Sequence, residues 1–215
     1  MILINVIYFK GNWEKKFDPK LTDKSTFYNF NKEATITDFM NKSDYFDYFY
    51  DENVQSVQLN YKEDNLKAII ILPIKEKDIN NYIKIFNKKI YENIIKGLFN
   101  QKIDLSLPKF EIKYEEELNE ILMSMGMKEA FGSADFSIMK KEKDIHISKV
   151  IHKTFIKVDE EGTVAAAATA VVMKATMMMI RVNRMMVNHP FLFIIRSHNL
   201  PLEHDILFFT KVEAL

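Results

Sequence analysis

The sequence predicts an α+β fold in which sheet outweighs helix. Short runs rich in Ile, Val, Phe, Tyr and Thr recur along most of the chain, many alternating apolar with polar residues, the period-two signature of strands. Apolar residues fall at helical spacing over only two longer stretches, residues 79–99 and 115–125. Residues 158–180 add a tract of small uncharged side chains behind an acidic pair, a pattern that suits a conditional strand better than an ordinary core strand. With no internal repeat and no interdomain linker, residues 1–215 read as a single domain.

The chain opens on residues 2–9, a nearly continuous apolar run of the kind buried on both faces in mid-sheet. Lys10-Gly11-Asn12-Trp13 ends it with a Gly–Asn turn. Trp13, the sole tryptophan, is expected to pack with Phe9 and Phe17 over the strand end. Residues 22–30 and 34–40 alternate as strands, and residues 45–50, 54–59 and 66–72 form a meander. The aromatic cluster Tyr45, Phe46, Tyr48, Phe49 and Tyr50 has no basic groove beside it, so sheet-face packing is the better reading than base stacking. Pro73 ends the meander, and residues 79–99 follow as a helix. Residues 103–107 form another strand, and Pro108-Lys109-Phe110 stays extended. Residues 115–125 read as a helix with acids in its first turn, with Leu118, Ile121, Leu122 and Met125 toward the core and Gly126 as C-cap. Residues 145–158 are a long strand leading into the small-residue tract. Residues 190–196 and 205–211 are two final strands, joined by a turn around Asn199-Leu200-Pro201.

Composition excludes several classes of function. Thirty basic and thirty acidic residues balance, so no global field favours nucleic acid. No apolar run has the length a membrane helix requires. The first residues lack the basic lead and cleavage site of a signal peptide. Cysteine is absent, which removes disulfides and thiol catalysis and slightly favours a reducing, cytoplasmic compartment, with secretion as the alternative. The histidines, His146, His152, His189, His198 and His204, form no pair at ligand spacing, so neither a metal nor a cofactor is expected. With no Gly-x-Ser-x-Gly elbow and no phosphate loop, enzyme activity is not expected either.

In the tract itself, Glu160 and Glu161 precede Gly162, whose backbone has access to dihedrals closed to other residues. Thr163, Val164, Ala165, Ala166, Ala167 and Ala168 follow, and nothing up to residue 172 is larger than valine. Four alanines favour helix, whereas Thr163, Val164, Thr169, Val171 and Val172 favour strand. Both period-two faces are small, so the segment fits between existing strands without steric obstruction.

The order acidic pair, Gly, Thr, small residue, alanine run resembles the reactive-loop hinge of the serpins. The resemblance extends to residues 5–13 at the start, His152-Lys153-Thr154-Phe155 before the hinge, and Asn188-His189-Pro190-Phe191-Leu192-Phe193-Ile194-Ile195-Arg196 after it. It covers essentially the whole chain, but only about the C-terminal three-fifths of a serpin of the intracellular ovalbumin-like type. It implies a multi-sheet fold of three β-sheets with helices and an exposed reactive loop at about residues 160–184, the N-terminal helical part being missing.

The resemblance also implies roles. The protein would be bait for a target serine protease, chymotrypsin- or elastase-like, and its cleaved loop would enter the main sheet as an added strand and trap the protease covalently. Alternatives are a non-inhibitory binding protein and a truncated fragment without activity. Counting from Glu160 as the family does places the scissile bond between Thr176 and Met177, with Lys174, Met178 and Arg181 as other chemically reasonable bait. Lys109 and Glu160 match a salt-bridging pair at the point of insertion, and Trp13 a residue at the top of the main sheet. His152 matches a buried histidine hydrogen-bonded across the sheet centre, with Asn5 as its polar partner. Val164, where the family usually has an acid, and Thr210, where it generally has glycine, depart from the pattern. A raw edge on the strand at residues 2–9 would make self-association a further expectation.

Overall fold

The computed structural model of the chain describes residues 1–63, 65–74, 79–138, 145–163 and 183–215. In chain order its elements are β1 (Ile2–Tyr8), β2 (Gly11–Asn12), β3 (Asp23–Tyr28), β4 (Ala34–Tyr50), β5 (Val54–Asn60), β6 (Leu66–Pro73), α1 (Ile79–Ile85), α2 (Lys88–Gly97), β7 (Phe99–Pro108), β8 (Phe110–Glu117), α3 (Asn119–Ser124), β9 (Lys149–Asp159), β10 (Gly162–Thr163), β11 (Asn183–Met186), β12 (Phe191–Ser197) and β13 (Ile206–Val212). They divide into two compact units: Met1–Phe9 with Glu111–Lys157, and Lys10–Phe110 with Val158–Leu215. The expected hinge residues Val164, Ala165, Ala166, Ala167 and Ala168, and the candidate scissile pair Thr176 and Met177, lie outside the described residues.

In the first unit, β9 is flanked by β1 and β8. β1 runs parallel to it, from Ile2 opposite Lys149 to Tyr8 opposite Phe155. The apolar run therefore is a strand, but not one buried on both faces: Ile2, Ile4, Val6 and Tyr8 are all more than half exposed. Burial needs partners above and below as well as a strand pattern, and among the described residues β1 pairs with β9 alone. A second correction concerns residues 115–117. They belong to β8 rather than to a helix, and Glu115 and Glu117 form ion pairs with Lys153 (2.9 Å) and Lys149 (2.8 Å) of β9. Opposite charges on neighbouring strands support sheet, and period-two placement of the acids overrides their helix propensity. The helix that follows has only six residues, and Ile121 and Met125 are exposed rather than core-facing. Its end is as expected. Gly126 adopts φ +105°, Met127 N–H reaches the Leu122 carbonyl at 3.0 Å and Gly126 N–H reaches Met123 at 3.1 Å, which closes a Schellman cap.

The second unit is built on an eight-stranded sheet ordered β11-β7-β4-β5-β6-β12-β13, with β3 also on β4. β4 is one strand of 17 residues where the sequence suggested two. Asn41-Lys42-Ser43-Asp44, the polar residues between the two expected strands, pair with Ser106, Leu105, Asp104 and Ile103 of β7. A neighbouring strand satisfies their backbone, so a polar stretch need not turn. Next to the edge strand β13, β12 pairs antiparallel with β6, and Phe191, Leu192, Phe193, Ile194 and Ile195 are all fully buried. A strand covered on both faces reads as such an unbroken apolar run.

One face of this sheet packs against α1 and α2, through Val54, Ile69, Ile71, Leu192 and Ile194 against Ile79, Tyr82, Tyr91 and Ile94. The single helix expected over residues 79–99 is broken at Asn87, whose side chain accepts from Lys89 and Ile90 N–H and so starts a new helix. Behind it a buried network anchors the hairpin of the last two strands. Arg196 Nε donates to Asp205 at 2.6 Å, and the Tyr91 hydroxyl donates to both Asp205 oxygens at 3.1 Å. Of the meander aromatics, Phe46 and Tyr48 are buried on one face of β4 and Tyr45 is exposed on the other, while Tyr50, on the first face but at the strand end, is exposed.

Candidate functional site

The candidate hinge begins where β9 ends. Val158 and Asp159 pair antiparallel with Thr163 and Gly162, so Glu160 and Glu161 form the two-residue tip of a tight turn. β10 is held on its other side by β2, Gly162 facing Asn12 and Thr163 facing Gly11. Gly162 stands at φ +149°, and a Cβ there would meet the Gly11 carbonyl oxygen and come within 2.6 Å of Asn12 Cα. Glycine is needed at this point for close backbone approach as much as for its dihedral freedom.

Residues 13–17 bracket the two acids through the backbone. Trp13 N–H donates to the Glu161 carbonyl at 2.9 Å and Phe17 N–H to the Glu160 carbonyl at 3.0 Å. The Trp13 indole donates to the Asp159 carbonyl at 2.9 Å, and its ring stacks on Tyr61 with centroids 4.6 Å apart. The Tyr61 hydroxyl lies 2.8 Å from that of Thr163, both fully buried. Burial pushes the Tyr61 phenol upward, although the Thr163 hydrogen bond works against this. Asp159 accepts from Glu161 N–H at 3.0 Å, which fixes the turn from within.

The carboxylates have separate partners. Glu160 lies 3.0 Å from the Lys109 ammonium and accepts from the Thr22 hydroxyl at 2.8 Å. Glu161 is ion-paired with Lys16. Both acids are buried. Burial works to raise the Glu160 carboxyl, but its own backbone N–H, Thr22 and Lys109 together hold it below the usual carboxylate range. Hydrogen bonds to charged groups contribute about 1.5–3 kcal/mol each, so the turn is strongly held yet contains no covalent tie.

Of the residues singled out from sequence, Lys109, Glu160, Glu161, Gly162, Thr163 and Trp13 meet in this one place. Trp13 and Phe17 are buried there as expected. In the first unit, Asn5 and His152 face each other in the β1–β9 register, 3.2 Å apart between Asn5 Nδ2 and His152 Nδ1. The Thr154 hydroxyl lies 3.2 Å from the other ring nitrogen. His152 is half-buried rather than buried, because the outer surface of β1 is open. Lys16, Thr22, Tyr61 and Asp159 were not foreseen. Lys16 and Thr22 are 145 and 138 residues from their acids, and no local pattern marks a contact at that separation. Among the described residues no cluster of His, Asp or Glu is suited to holding a metal ion, and no helix is long and apolar enough to cross a membrane.

A family model described as Serpin (serine protease inhibitor) matches residues 1–214. The chain belongs to the serpin family. Among related serpins, it is 37% identical to leukocyte elastase inhibitor of Xenopus laevis, over all of this chain and 58% of that protein. It is 35% identical to intracellular coagulation inhibitor 2 of Tachypleus tridentatus, over 91% of this chain and 48% of that protein. The serpin fold is also that of solved structures. Tengpin, a thermophilic serpin in its native state, superposes with TM-score 0.82 at 33% identity, covering all of this chain and 55% of that one. Human thyroxine-binding globulin, solved in complex with thyroxine, superposes with TM-score 0.86 at 26% identity, covering 99% of this chain and 56% of that one. This serpin chain thus spans about half the length of the relatives it matches.

Proposed function

We propose that this chain is one partial serpin domain over residues 1–215, with a reactive loop at about residues 160–184, and that it serves protease inhibition by loop insertion. The observation that carries the reading is the hinge turn. Its acids are gripped by non-covalent contacts at the end of a strand, and the sequence continues into a tract with no charge and no side chain larger than valine. A protease would cut the loop after Thr176, and the hinge side would then join the sheet as a new strand, the mode of strand addition that serpins use. Each ladder hydrogen bond gained contributes about 0.5–1.5 kcal/mol net. Small uncharged residues at Thr163, Ala165, Ala167 and Ala168 leave no unpaired charge inside the sheet. The protein acts as bait for a serine protease and not as a catalyst. Thr176 or a methionine at the cut suits chymotrypsin- or elastase-like pockets.

Incubation with chymotrypsin-, elastase- and trypsin-like proteases tests this. An SDS-resistant complex is the expected result, with the first cut mapped by mass spectrometry within residues 175–179. Clean cleavage without a complex would replace inhibition by the second reading, a non-inhibitory binding protein, which the likeness to thyroxine-binding globulin favours. Unspecific degradation would mark a fragment without activity. A further part of the proposal is self-association through β1. Its outer edge has no paired strand among the described residues and presents uncharged, exposed side chains, the condition under which strands recruit other chains.

A further inference from the structure

The grip on the hinge acids is itself held from behind, by two consecutive residues of β4. The Lys42 ammonium donates to the carbonyls of Lys15 at 2.8 Å and Lys16 at 2.9 Å. It also lies 5.7 Å from the centre of the Phe17 ring and 3.8 Å from Asp44. Lys15, Lys16 and Phe17 are the segment that carries the ion pair to Glu161 and the backbone bond to Glu160. Beside it, the Asn41 amide donates to the Leu21 carbonyl at 2.8 Å and to Asp23 at 3.0 Å. Leu21 precedes Thr22, whose hydroxyl reaches Glu160.

Lys42 is an unusual choice for this position. Its side chain is 17% exposed, and burial drives the ammonium down, against the pull of Asp44. Burying a lysine is costly unless its donors are satisfied, and here two of them go to main-chain carbonyls of the one segment that touches both acids. An apolar residue would fill the space more cheaply but leave that segment untied. Asn41 and Lys42 sit mid-strand, paired with Ser106 and Leu105 of β7, so the tie runs to the rigid body of the large sheet.

We propose that Lys42, assisted by Asn41, is a positioning residue that sets how firmly the hinge turn is held by tying residues 15–22 to β4. The consequence for loop release rests on the inhibitory reading, but the tie can be measured without any protease. Amide hydrogen exchange followed by NMR on Lys42→Met should show Trp13 and Phe17 N–H, the donors to Glu161 and Glu160, exchanging at least about tenfold faster, the scale set by losing one hydrogen bond to a charged group. Amides of Leu192 and Ile194, in the fully buried strand β12, should keep their rates, as should all of these positions in the control Lys24→Met, an exposed lysine of β3. In the cycle with Lys16→Met, the double variant should be no faster at Trp13 than the faster single variant, because both act through one segment. Asn41→Ala should accelerate Phe17 in the same direction. Unchanged exchange at Trp13 and Phe17, equal acceleration throughout the sheet, or additive effects in the cycle would each overturn the proposal. If Lys42→Met does not fold, Lys42→Gln is read by the same criteria. A positive exchange result without any SDS-resistant complex would keep the tie and discard only the inhibitory reading.

Discussion

The Lys109 ammonium lies 3.0 Å from the Glu160 carboxylate, across 51 residues of sequence, and Thr22 shares the same carboxylate. Lys109 follows directly on β7, while Glu160 forms the tip of the hinge turn, so the pair ties the turn to the large sheet. With the lysine side chain 34% exposed and the glutamate 11%, solvent screens the pair only in part. Lys109→Met should therefore lower stability by about 1 kcal/mol, a fall of about 2–4 °C in Tm for a chain of this size. Calorimetry checks the shift, and it should vanish in a Glu160→Gln background.

The same contacts fix a pH dependence. The carboxyl of Glu160 is held below its ordinary value, so the folded state takes up its proton less readily than the unfolded chain. Its contribution is complete above the ordinary glutamate range and is lost as pH falls through the lowered folded value. Urea denaturation from neutral to strongly acid pH should show an acid loss of stability that is smaller in Glu160→Gln. Identical acid limbs in the two proteins would remove Glu160 from the account.

Gly162→Ala tests the packing of the turn. The added methyl group meets the Gly11–Asn12 backbone in a conformation that L-residues disfavour. A cost of about 1–3 kcal/mol is expected from strain, read as a lower urea midpoint at unchanged m-value.

The buried Arg196–Asp205 pair is a matter of stability alone. Asp205 is fully buried and holds both Arg196 and Tyr91. Asp205→Asn leaves the guanidinium without its counter-charge, which costs about 3–5 kcal/mol. Tyr91→Phe removes a single neutral donor and should cost much less. Equal losses in the two variants would show that the charge pair is not what matters.

Ile4→Lys places a charge on β1 at a residue that is 61% exposed. Stability should change little, whereas any dimer or higher assembly seen by sedimentation should dissociate, since a charged edge strand resists pairing. Assembly that persists unchanged would locate the contact elsewhere.

The sequence by itself determined the family, the α+β class and the small-residue tract, because each lies in local order and side-chain size. Its strand patterns located β1, β5, β6, β12 and β13 within a residue or two, and Gly126 marked a helix end through its dihedral requirement. It also joined Lys109 to Glu160 and Asn5 to His152, though only through resemblance, since nothing local links residues so far apart. Three-dimensional pairing decided the remainder. Polar Asn41-Lys42-Ser43-Asp44 became mid-strand because β7 satisfies its backbone, and the acids at 115–117 joined a strand because β9 offers lysines across from them. Apolar β1 stayed exposed because a hydrophobic pattern creates a demand for cover without supplying it. Lys16, Thr22 and Tyr61 became partners of the turn at residues 160–163, and Lys42 of the segment beside it, only when folding brought together segments that no periodicity connects.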